Sequence, residues 1–195
     1  MPDELKLFYD AVMQEPPLWR DLIFTLLFTG QRKRNVCQMQ WKDLDLGHRL
    51  WYVAGETMKN GSPLVVVLPT NALAILNERA SASNKHAEWV FPSERSTGSV
   101  VDAKKAWERI RERSGLADVR MHDLRRTLGS WQALGGTSLQ IIGKSLGHKS
   151  MKATEVYARL TTDPVRESVE KATQEMASHW TEPEEMPENT EVIDI

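Results

Sequence analysis

The sequence predicts a mainly α-helical protein with one small antiparallel β-sheet, an α+β fold. Apolar residues recur at helical spacing through most of the 195-residue chain. Two short stretches, residues 50–54 and 63–68, are instead rich in β-branched and aromatic residues. The residues between them contain the Asn60-Gly61 pair, which is typical of a tight turn. The two stretches are therefore predicted to form a hairpin or short meander.

Helices are predicted on both sides of this hairpin, each ended by a proline, a glycine or a capping residue. Pro16-Pro17 ends the first, and Gly30 stands where a left-handed cap of the second belongs. The last is predicted to start with Asp163 as N-cap and Pro164 at the first helical position. The predicted helices cover residues 3–14, 18–29, 70–82, 99–113, 122–134, 138–146, 150–160 and 164–180, and the inner positions of the fourth are Val100, Val101, Ala103, Trp107 and Ile110.

Composition excludes several classes of protein. The longest apolar run is far too short to span a membrane, and the polar first residues do not form a secretory signal. The single cysteine, Cys37, excludes an internal disulfide framework and a cysteine-based zinc site. We therefore expect no membrane partner and a reducing, cytoplasmic location.

Charge is unevenly distributed along the chain. The formal net charge is −2, from 25 basic and 27 acidic residues. Residues 181–195 hold six of the acids and no Lys or Arg. The remaining body has 25 basic and 21 acidic residues, a net charge of +4, which permits binding to nucleic acid. We expect one folded domain over residues 1–180 and a flexible acidic tail over residues 181–195.

Residues 121–157 concentrate the side chains that could carry chemistry. His122 and Arg125 are three residues apart and so share one helix face, although Arg126 competes with Arg125 on spacing alone. His148 and Tyr157 are nine residues apart, which would put them on opposite faces of one continuous helix. A break between them is therefore required. The structural alternatives are a surface helix face, a helix-capping histidine and a core tyrosine.

Four ordered stretches resemble one family, the tyrosine recombinases of phages and genomic islands, over about residues 18–160. They are LLFTGQRKRNV, TMKNGSPLVVVLP, HDLRRT and LGHKSMKATEVYARL. The resemblance implies the catalytic-domain fold of that family. It also implies a set of catalytic residues. They are Arg32 as the first arginine, Lys59 as the hairpin lysine, His122 and Arg125 as the HxxR pair, His148 as the last histidine, and Tyr157 as the nucleophile.

The chemistry that the resemblance implies is DNA breakage and rejoining through a 3′-phosphotyrosyl bond, without metal, cofactor or ATP. Arginine forks suit the nonbridging phosphate oxygens because they bind bidentately and keep their charge. Tyr157 needs help to lose its proton, and His122 is the nearest candidate. Lys59 would protonate the leaving 5′-oxygen. A departure from the family pattern is Asn35, where a carboxylate is common, and we expect it to accept a hydrogen bond from Arg32 instead.

The same resemblance implies partners. They are double-stranded DNA, further copies of the chain in a tetramer joined through the 164–180 helix, and DNA-bending accessory proteins, in a phage-encoded or nucleoid-associated setting. That helix could equally pack on its own domain. The family's N-terminal DNA-binding domains do not fit ahead of Asp3, so a catalytic fragment or a natural short form is expected. Alternatives are type IB topoisomerase-like relaxation and a non-catalytic DNA-binding or regulatory helical domain.

Overall fold

The fold is mainly helical with one small sheet, as predicted. The computed structural model describes residues 2–54, 63–83, 87–93, 98–148, 150–160 and 162–178. The helices are α1 (Pro2–Met13), α2 (Pro17–Thr29), α3 (Lys33–Cys37), α4 (Thr70–Ala82), α5 (Lys104–Ser114), α6 (Asp123–Leu134), α7 (Leu139–Leu146) and α8 (Thr162–Ser178), with short 3₁₀ helices at Trp41–Asp43, Met151–Ala153 and Glu155–Leu160.

Three antiparallel strands form the sheet in the order β1 (Leu44–Asp45), β2 (Leu50–Val53) and β3 (Leu64–Val67). Trp51 pairs with Val66, so both point to the inner face and both are buried. Their neighbours Tyr52 and Val65 pair on the outer face and are exposed. This alternation is the period of two that a β-strand with one buried face shows. The Asn60-Gly61 turn lies outside the described residues.

Most apolar side chains belong to one large core. It is formed by α1, α2, α3, the sheet, α4 and α5, and its fully buried members include Leu22, Ile23, Trp51, Phe91 and Ile110. Glu15, at the turn after α1, is buried and is paired with Arg109 and Arg113 of α5. A buried carboxylate is costly unless cations compensate it, so this triad fixes α5 to the α1–α2 turn.

A second, smaller core lies between α6, α7 and the 3₁₀ helix Glu155–Leu160. Its buried residues are Ala133, Ile142, Leu146 and Tyr157, with Leu128, Leu139 and Leu160 packed against them and partly buried. The two cores meet at the end of α2, where Gly30 faces Leu128 and Leu146.

Three predicted helices differ clearly in the structure. The predicted helix 99–113 begins only at Lys104, because Ser99 pairs with Pro92 and the Val100 amide donates to the Phe91 carbonyl (2.9 Å), which holds the preceding residues extended. Val101 is consequently 84% exposed, and its predicted inner position was wrong.

The predicted helix 150–160 is two 3₁₀ helices separated by Thr154. Its amides bond three residues back, as in Tyr157 N–H to the Thr154 carbonyl (3.0 Å).

The last helix, α8, begins at Thr162, so Asp163 lies inside it rather than at the predicted N-cap. Its apolar residues at helical spacing are more than half exposed: Val165 and Val169 by 57% and Met176 by 61%. These three side chains belong to neither of the two cores that the described residues form. Among the helices that the structure describes, none combines the length and the hydropathy needed to cross a membrane.

Candidate active site

The candidate site is organised around Gly30, the residue that ends α2. Gly30 has a φ of 61°, and its amide donates to the Leu26 carbonyl (3.0 Å), as in a left-handed cap. A Cβ on Gly30 would lie 2.7 Å from Leu146 and 2.8 Å from Leu128. Glycine thus allows α2, α6 and α7 to meet closely here.

Arg125 projects from α6 toward this meeting point. Its side chain is buried, with 4% exposure, and its Nη1 donates to the Gly30 carbonyl over 2.8 Å. Burial, with the positive charge of Arg32 beside it, lowers the pKa of Arg125 to about 10, while Tyr157 acts in the opposite direction. Arg125 therefore remains a cation at neutral pH, held at a fixed place.

Arg126 has a different environment, which separates two arginines that spacing could not. Its side chain is 56% exposed and donates to the Asp123 carboxylate over 3.0 Å, one turn earlier on α6. It belongs to the solvated face of α6.

Gln31 joins the end of α2 to α7. It is buried, and its Nε2 donates to the Ser145 carbonyl (3.0 Å) and the Thr29 carbonyl (3.2 Å). Its Oε1 has no hydrogen-bond partner among the described residues. Sequence reasoning missed Gln31, since nothing in a lone glutamine signals such a bridge. The bridge fixes the backbone immediately before Arg32.

Arg32 follows directly and precedes α3. Its positive charge lowers the pKa of Arg125, of His122 and of His148, so all four groups lie within electrostatic reach of one another. The first arginine and the HxxR pair, 93 residues apart in sequence, are thus on the same side of the domain. Asn35 is buried in α3, and its predicted hydrogen bond to Arg32 stays a prediction.

His122 stands at the start of α6 and is exposed. Partial desolvation and the charges of Arg125, Arg126 and Arg32 lower its pKa, against a smaller opposite effect of Asp123. Its imidazole is therefore neutral at neutral pH and able to accept a proton.

His148 is placed by the cap of α7. Gly147 has a φ of 66°, and the His148 amide donates to the Gly143 carbonyl (2.8 Å). Burial and the charges of Arg125, Arg32 and His122 lower the pKa of His148 to about 4. Its Nδ1 lies 2.9 Å from the Thr154 hydroxyl. The predicted break between His148 and Tyr157 is therefore present, at this cap and at Thr154.

Tyr157 lies against α6, with its ring over Gly129. A Cβ on Gly129 would lie 2.5 Å from the ring and 2.7 Å from the hydroxyl oxygen, so only glycine leaves room. Tyr157 is 4% exposed, and burial raises its pKa while Arg125 and Arg126 lower it. The phenol is thus protonated at neutral pH. Gly129 is a further residue that sequence reasoning missed.

Two neighbouring features complete the site. A cavity of about 380 Å³ borders His122 and Arg125 and carries the Lys33–Asp102 ion pair (3.0 Å) on its wall. Leu64, the first residue of β3, would lie 2.6 Å from a Cβ on Gly147, so the base of the hairpin adjoins His148. Lys59, the predicted hairpin lysine, lies outside the described residues. Within the described ranges no group of three or more His, Cys, Asp or Glu could hold a metal ion.

Comparison with known proteins identifies the family. The family model described as the phage integrase family matches residues 1–163. The integrase of Salmonella phage P22 is 28% identical over 178 residues, which cover 85% of this chain and 44% of that protein.

Two solved structures share the fold. The crystal structure of XerA recombinase gives a TM-score of 0.69 at 22% identity, covering 88% of this chain and 62% of that one. The structure of XerH site-specific recombinase bound to its difH substrate gives 0.67 at 21% identity, covering 91% and 53%. The chain spans about half the length of the curated relatives it matches.

Proposed function

Because this chain belongs to the phage integrase family, we propose that it is the catalytic domain of a site-specific tyrosine recombinase that breaks and rejoins double-stranded DNA through Tyr157. The observation that carries the proposal is that Arg125 and Tyr157 meet at one helix, α6: Arg125 donates to the Gly30 carbonyl, and the ring of Tyr157 lies over Gly129, four residues further along. The positive charges of Arg125 and Arg32 also lower the pKa of His148, and that of Arg125 lowers the pKa of Tyr157 against the effect of burial. A concentration of fixed positive charge beside a potential nucleophile suits attack on a phosphodiester.

In the proposed reaction the Tyr157 hydroxyl oxygen attacks the scissile phosphorus, forming the P–O bond to tyrosine as the P–O5′ bond breaks. Arg32 and Arg125 bind the nonbridging oxygens, on which negative charge accumulates. Arg125 suits this role because its hydrogen bond to Gly30 fixes it before DNA arrives. A preorganised donor requires no reorganisation during the reaction.

Two proton transfers accompany the exchange. The tyrosine proton goes to His122, whose lowered pKa keeps the imidazole neutral and able to accept it. The 5′-oxygen receives a proton from Lys59 and leaves as a hydroxyl. The phosphotyrosyl bond stores the energy of the broken diester, so attack by a second 5′-hydroxyl reverses the same steps.

Tyr157 must leave its buried position to reach DNA. Burial against Gly129 raises its pKa and shields its hydroxyl. We infer that binding of DNA moves the 3₁₀ helix Glu155–Leu160 outward, which brings the phenol nearer to the bound phosphate and the arginines. The resting enzyme would then be protected against cleavage of the wrong duplex.

Assembly on DNA forms the second part of the proposal. The exposed stripe of α8, with Val165, Val169 and Met176, supports docking of this helix on a neighbouring copy in a recombining tetramer. Strand exchange needs two duplexes in one complex, whereas relaxation by a topoisomerase acts on a single duplex and needs no neighbouring copy of the enzyme. The exposed stripe thus favours the recombinase over the topoisomerase.

Covalent capture tests the proposal. The full chain is incubated at low salt with a pool of nicked suicide duplexes of random sequence, because a domain with few phosphate contacts binds DNA weakly and low salt strengthens each contact. Trapped adducts are digested and mapped by mass spectrometry, and the attached DNA is sequenced. We expect the adduct on the peptide that contains Tyr157, and none with Tyr157→Phe.

Tyr9→Phe is the matched control, since Tyr9 is half-exposed on α1, far from the proposed chemistry in sequence. An adduct that survives Tyr157→Phe, or one mapped to another residue, contradicts the assignment. Relaxation of supercoiled plasmid by the wild type without any joining of two duplexes would identify topoisomerase-like activity instead.

A further inference from the structure

Thr154 contacts two residues of the proposed site, His148 and Tyr157. It is fully buried, with 0% exposure, in the break between the two 3₁₀ helices. Its hydroxyl oxygen lies 2.9 Å from Nδ1 of His148, and its carbonyl accepts the amide of Tyr157 over 3.0 Å. One residue thus contacts both His148 and Tyr157, although it cannot itself reach a phosphate from its buried place.

The geometry around Thr154 leaves little freedom. A Cβ on Gly143 would lie 3.0 Å from the Thr154 hydroxyl oxygen, so a side chain at Gly143 would push the threonine away. The Gly143 carbonyl also accepts the His148 amide (2.8 Å). Gly143, His148 and Thr154 therefore form a closed unit in which both backbone and side chain of the histidine are held.

The direction of the hydroxyl bond decides what His148 can do. A neutral imidazole has one N–H, on Nδ1 or on Nε2. If the hydroxyl donates to Nδ1, the proton of the ring lies on Nε2. If the hydroxyl accepts, Nδ1 carries the proton and Nε2 offers only a lone pair, which repels a phosphate oxygen. His148 is neutral at neutral pH because its pKa is about 4.

We propose that Thr154 is a positioning residue that donates its hydroxyl proton to Nδ1 of His148 and so fixes the Nε2–H tautomer. The Nε2–H then serves as a hydrogen-bond donor to the phosphate held by Arg32 and Arg125. The role of this tautomer in cleavage rests on the proposed function, whereas the tautomer itself is a property of the protein without DNA.

Three variants separate this role from a purely structural one. Thr154→Val keeps the shape but removes the hydroxyl, and Thr154→Ser keeps the hydroxyl. Thr127→Val is the matched control, because Thr127 donates to the Asp123 carbonyl within α6 and touches neither histidine nor tyrosine through its hydroxyl. Each variant is first checked for its thermal unfolding midpoint.

The first measurement is the ¹⁵N NMR spectrum of His148 without DNA. We expect an unprotonated Nδ1 in the wild type and in Thr154→Ser, and a mixture of tautomers in Thr154→Val. A wild-type spectrum with the proton on Nδ1 would overturn the proposal. This readout does not depend on catalysis, so it separates failure of the Thr154 proposal from failure of the proposed function.

The second measurement is the rate of covalent capture. We expect Thr154→Val to be about 10- to 100-fold slower, the range typical of residues that orient a functional histidine, with Thr154→Ser and Thr127→Val within about threefold of the wild type. In a His148→Ala background, Thr154→Val should have no further effect, because the two residues then act as one unit. An equal loss in both backgrounds would assign Thr154 a structural role alone and overturn the proposal.

Discussion

The two cores of the molecule hold the two halves of the candidate site in different ways. Arg125 is tied to Gly30 at the end of α2, a helix whose Leu22 and Ile23 are fully buried in the large core. Tyr157 is itself one of four buried apolar residues that the described part of the chain contributes to the small core. Many buried residues therefore hold Arg125 in place, whereas few hold Tyr157.

The backbone of each half shows the same contrast. Arg125 belongs to the α-helix Asp123–Leu134, whereas Tyr157 belongs to the 3₁₀ helix Glu155–Leu160, whose bonds have poorer geometry. Segments with few buried contacts and weak backbone bonds open first in native proteins. In the proposed reaction, a rigidly held Arg125 on the phosphate would thus be combined with a nucleophile, Tyr157, that can move at low cost.

The two cores should therefore respond differently to the same truncation. Ile110 on α5 and Ile142 on α7 are both fully buried, one in each core. Replacing either by alanine creates a cavity that costs about 2 to 5 kcal/mol. We expect Ile110→Ala to lower the free energy of global unfolding by this amount. Ile142→Ala should mainly increase hydrogen exchange in residues 139–160.

Urea unfolding and amide hydrogen exchange, measured on the same samples, check this expectation. Ile141→Ala is the control for the small core, since Ile141 is its exposed neighbour on α7. If Ile142→Ala reduced protection of α2 and α5 as much as that of α7, the two cores would unfold as one unit and the contrast would disappear.

Arg125, which binds the phosphate in the proposed reaction, is next in expected effect. Arg125→Lys keeps a positive charge but loses the planar fork and the hydrogen bond of Nη1 to Gly30. We expect covalent capture to slow by about 10² to 10³-fold, as when one preorganised donor is removed. Arg126→Lys is the matched control on the next residue, which is exposed and paired with Asp123.

Single-turnover capture on a nicked duplex measures both variants, with DNA binding followed separately by fluorescence anisotropy. We expect Arg126→Lys to change the rate by less than about threefold, since surface ion pairs contribute little. Equal losses in the two variants would show that burial does not distinguish the arginines.

Gly129→Ala tests how firmly the small core holds Tyr157, the proposed nucleophile. The new methyl would lie 2.5 Å from the Tyr157 ring, closer than any real contact, so the ring must move. Because few neighbours hold Tyr157, we expect a displaced ring at a cost of about 1 to 3 kcal/mol in stability, the range for overpacking. The exposed fraction of the phenol, measured by tyrosine absorbance on solvent perturbation, should rise.

Gly115→Ala provides a comparison, because a Cβ on Gly115 meets nothing within 4 Å and only its φ of 70° is strained. It should lower stability without exposing Tyr157. A Gly129→Ala protein with an unchanged phenol would mean that α6 yields instead of the small core, which contradicts the idea of a movable nucleophile.

Much of this arrangement could be predicted from the sequence because local signals marked it. Gly30 was expected as a left-handed cap, and its φ is positive. The α+β class followed from the helical spacing of apolar residues and from two short stretches rich in β-branched and aromatic residues. The error at Val101 arose because the pairing of Ser99 with Pro92, a contact between separate segments, overrides a helical period.

The roles of Gln31, Gly129 and Thr154 could not be predicted, because each acts through contacts across the fold or through a backbone shape. Gln31 matters through the Ser145 carbonyl, 114 residues away, and Gly129 through the ring of Tyr157. Such signals exist only once the chain has folded. Spacing likewise left Arg125 and Arg126 equivalent, and burial distinguished them.

The smallest expected effect is a pH dependence of stability that originates at His148, in the loop between α7 and the first of the final 3₁₀ helices. Its pKa is about 4 in the folded protein, against about 6.5 for an unfolded histidine. Between these values the unfolded chain binds more protons, so the free energy of unfolding falls as the pH is lowered from about 6.5 toward 4. Above pH 6.5 His148 contributes no slope.

Urea unfolding at several pH values between 4.5 and 7.5 measures this slope, and ¹H–¹⁵N titration of His148 measures the midpoint directly. One proton limits the slope to about 1.4 kcal/mol per pH unit, and solvent screening of a partly exposed ring reduces it further. His148→Asn should remove this part of the slope and leave the contribution of His122, whose pKa is also lowered. An identical slope in His148→Asn would mean that neither burial nor the charges of Arg125 and Arg32 lower the pKa of His148, which contradicts its place between the small core and these arginines.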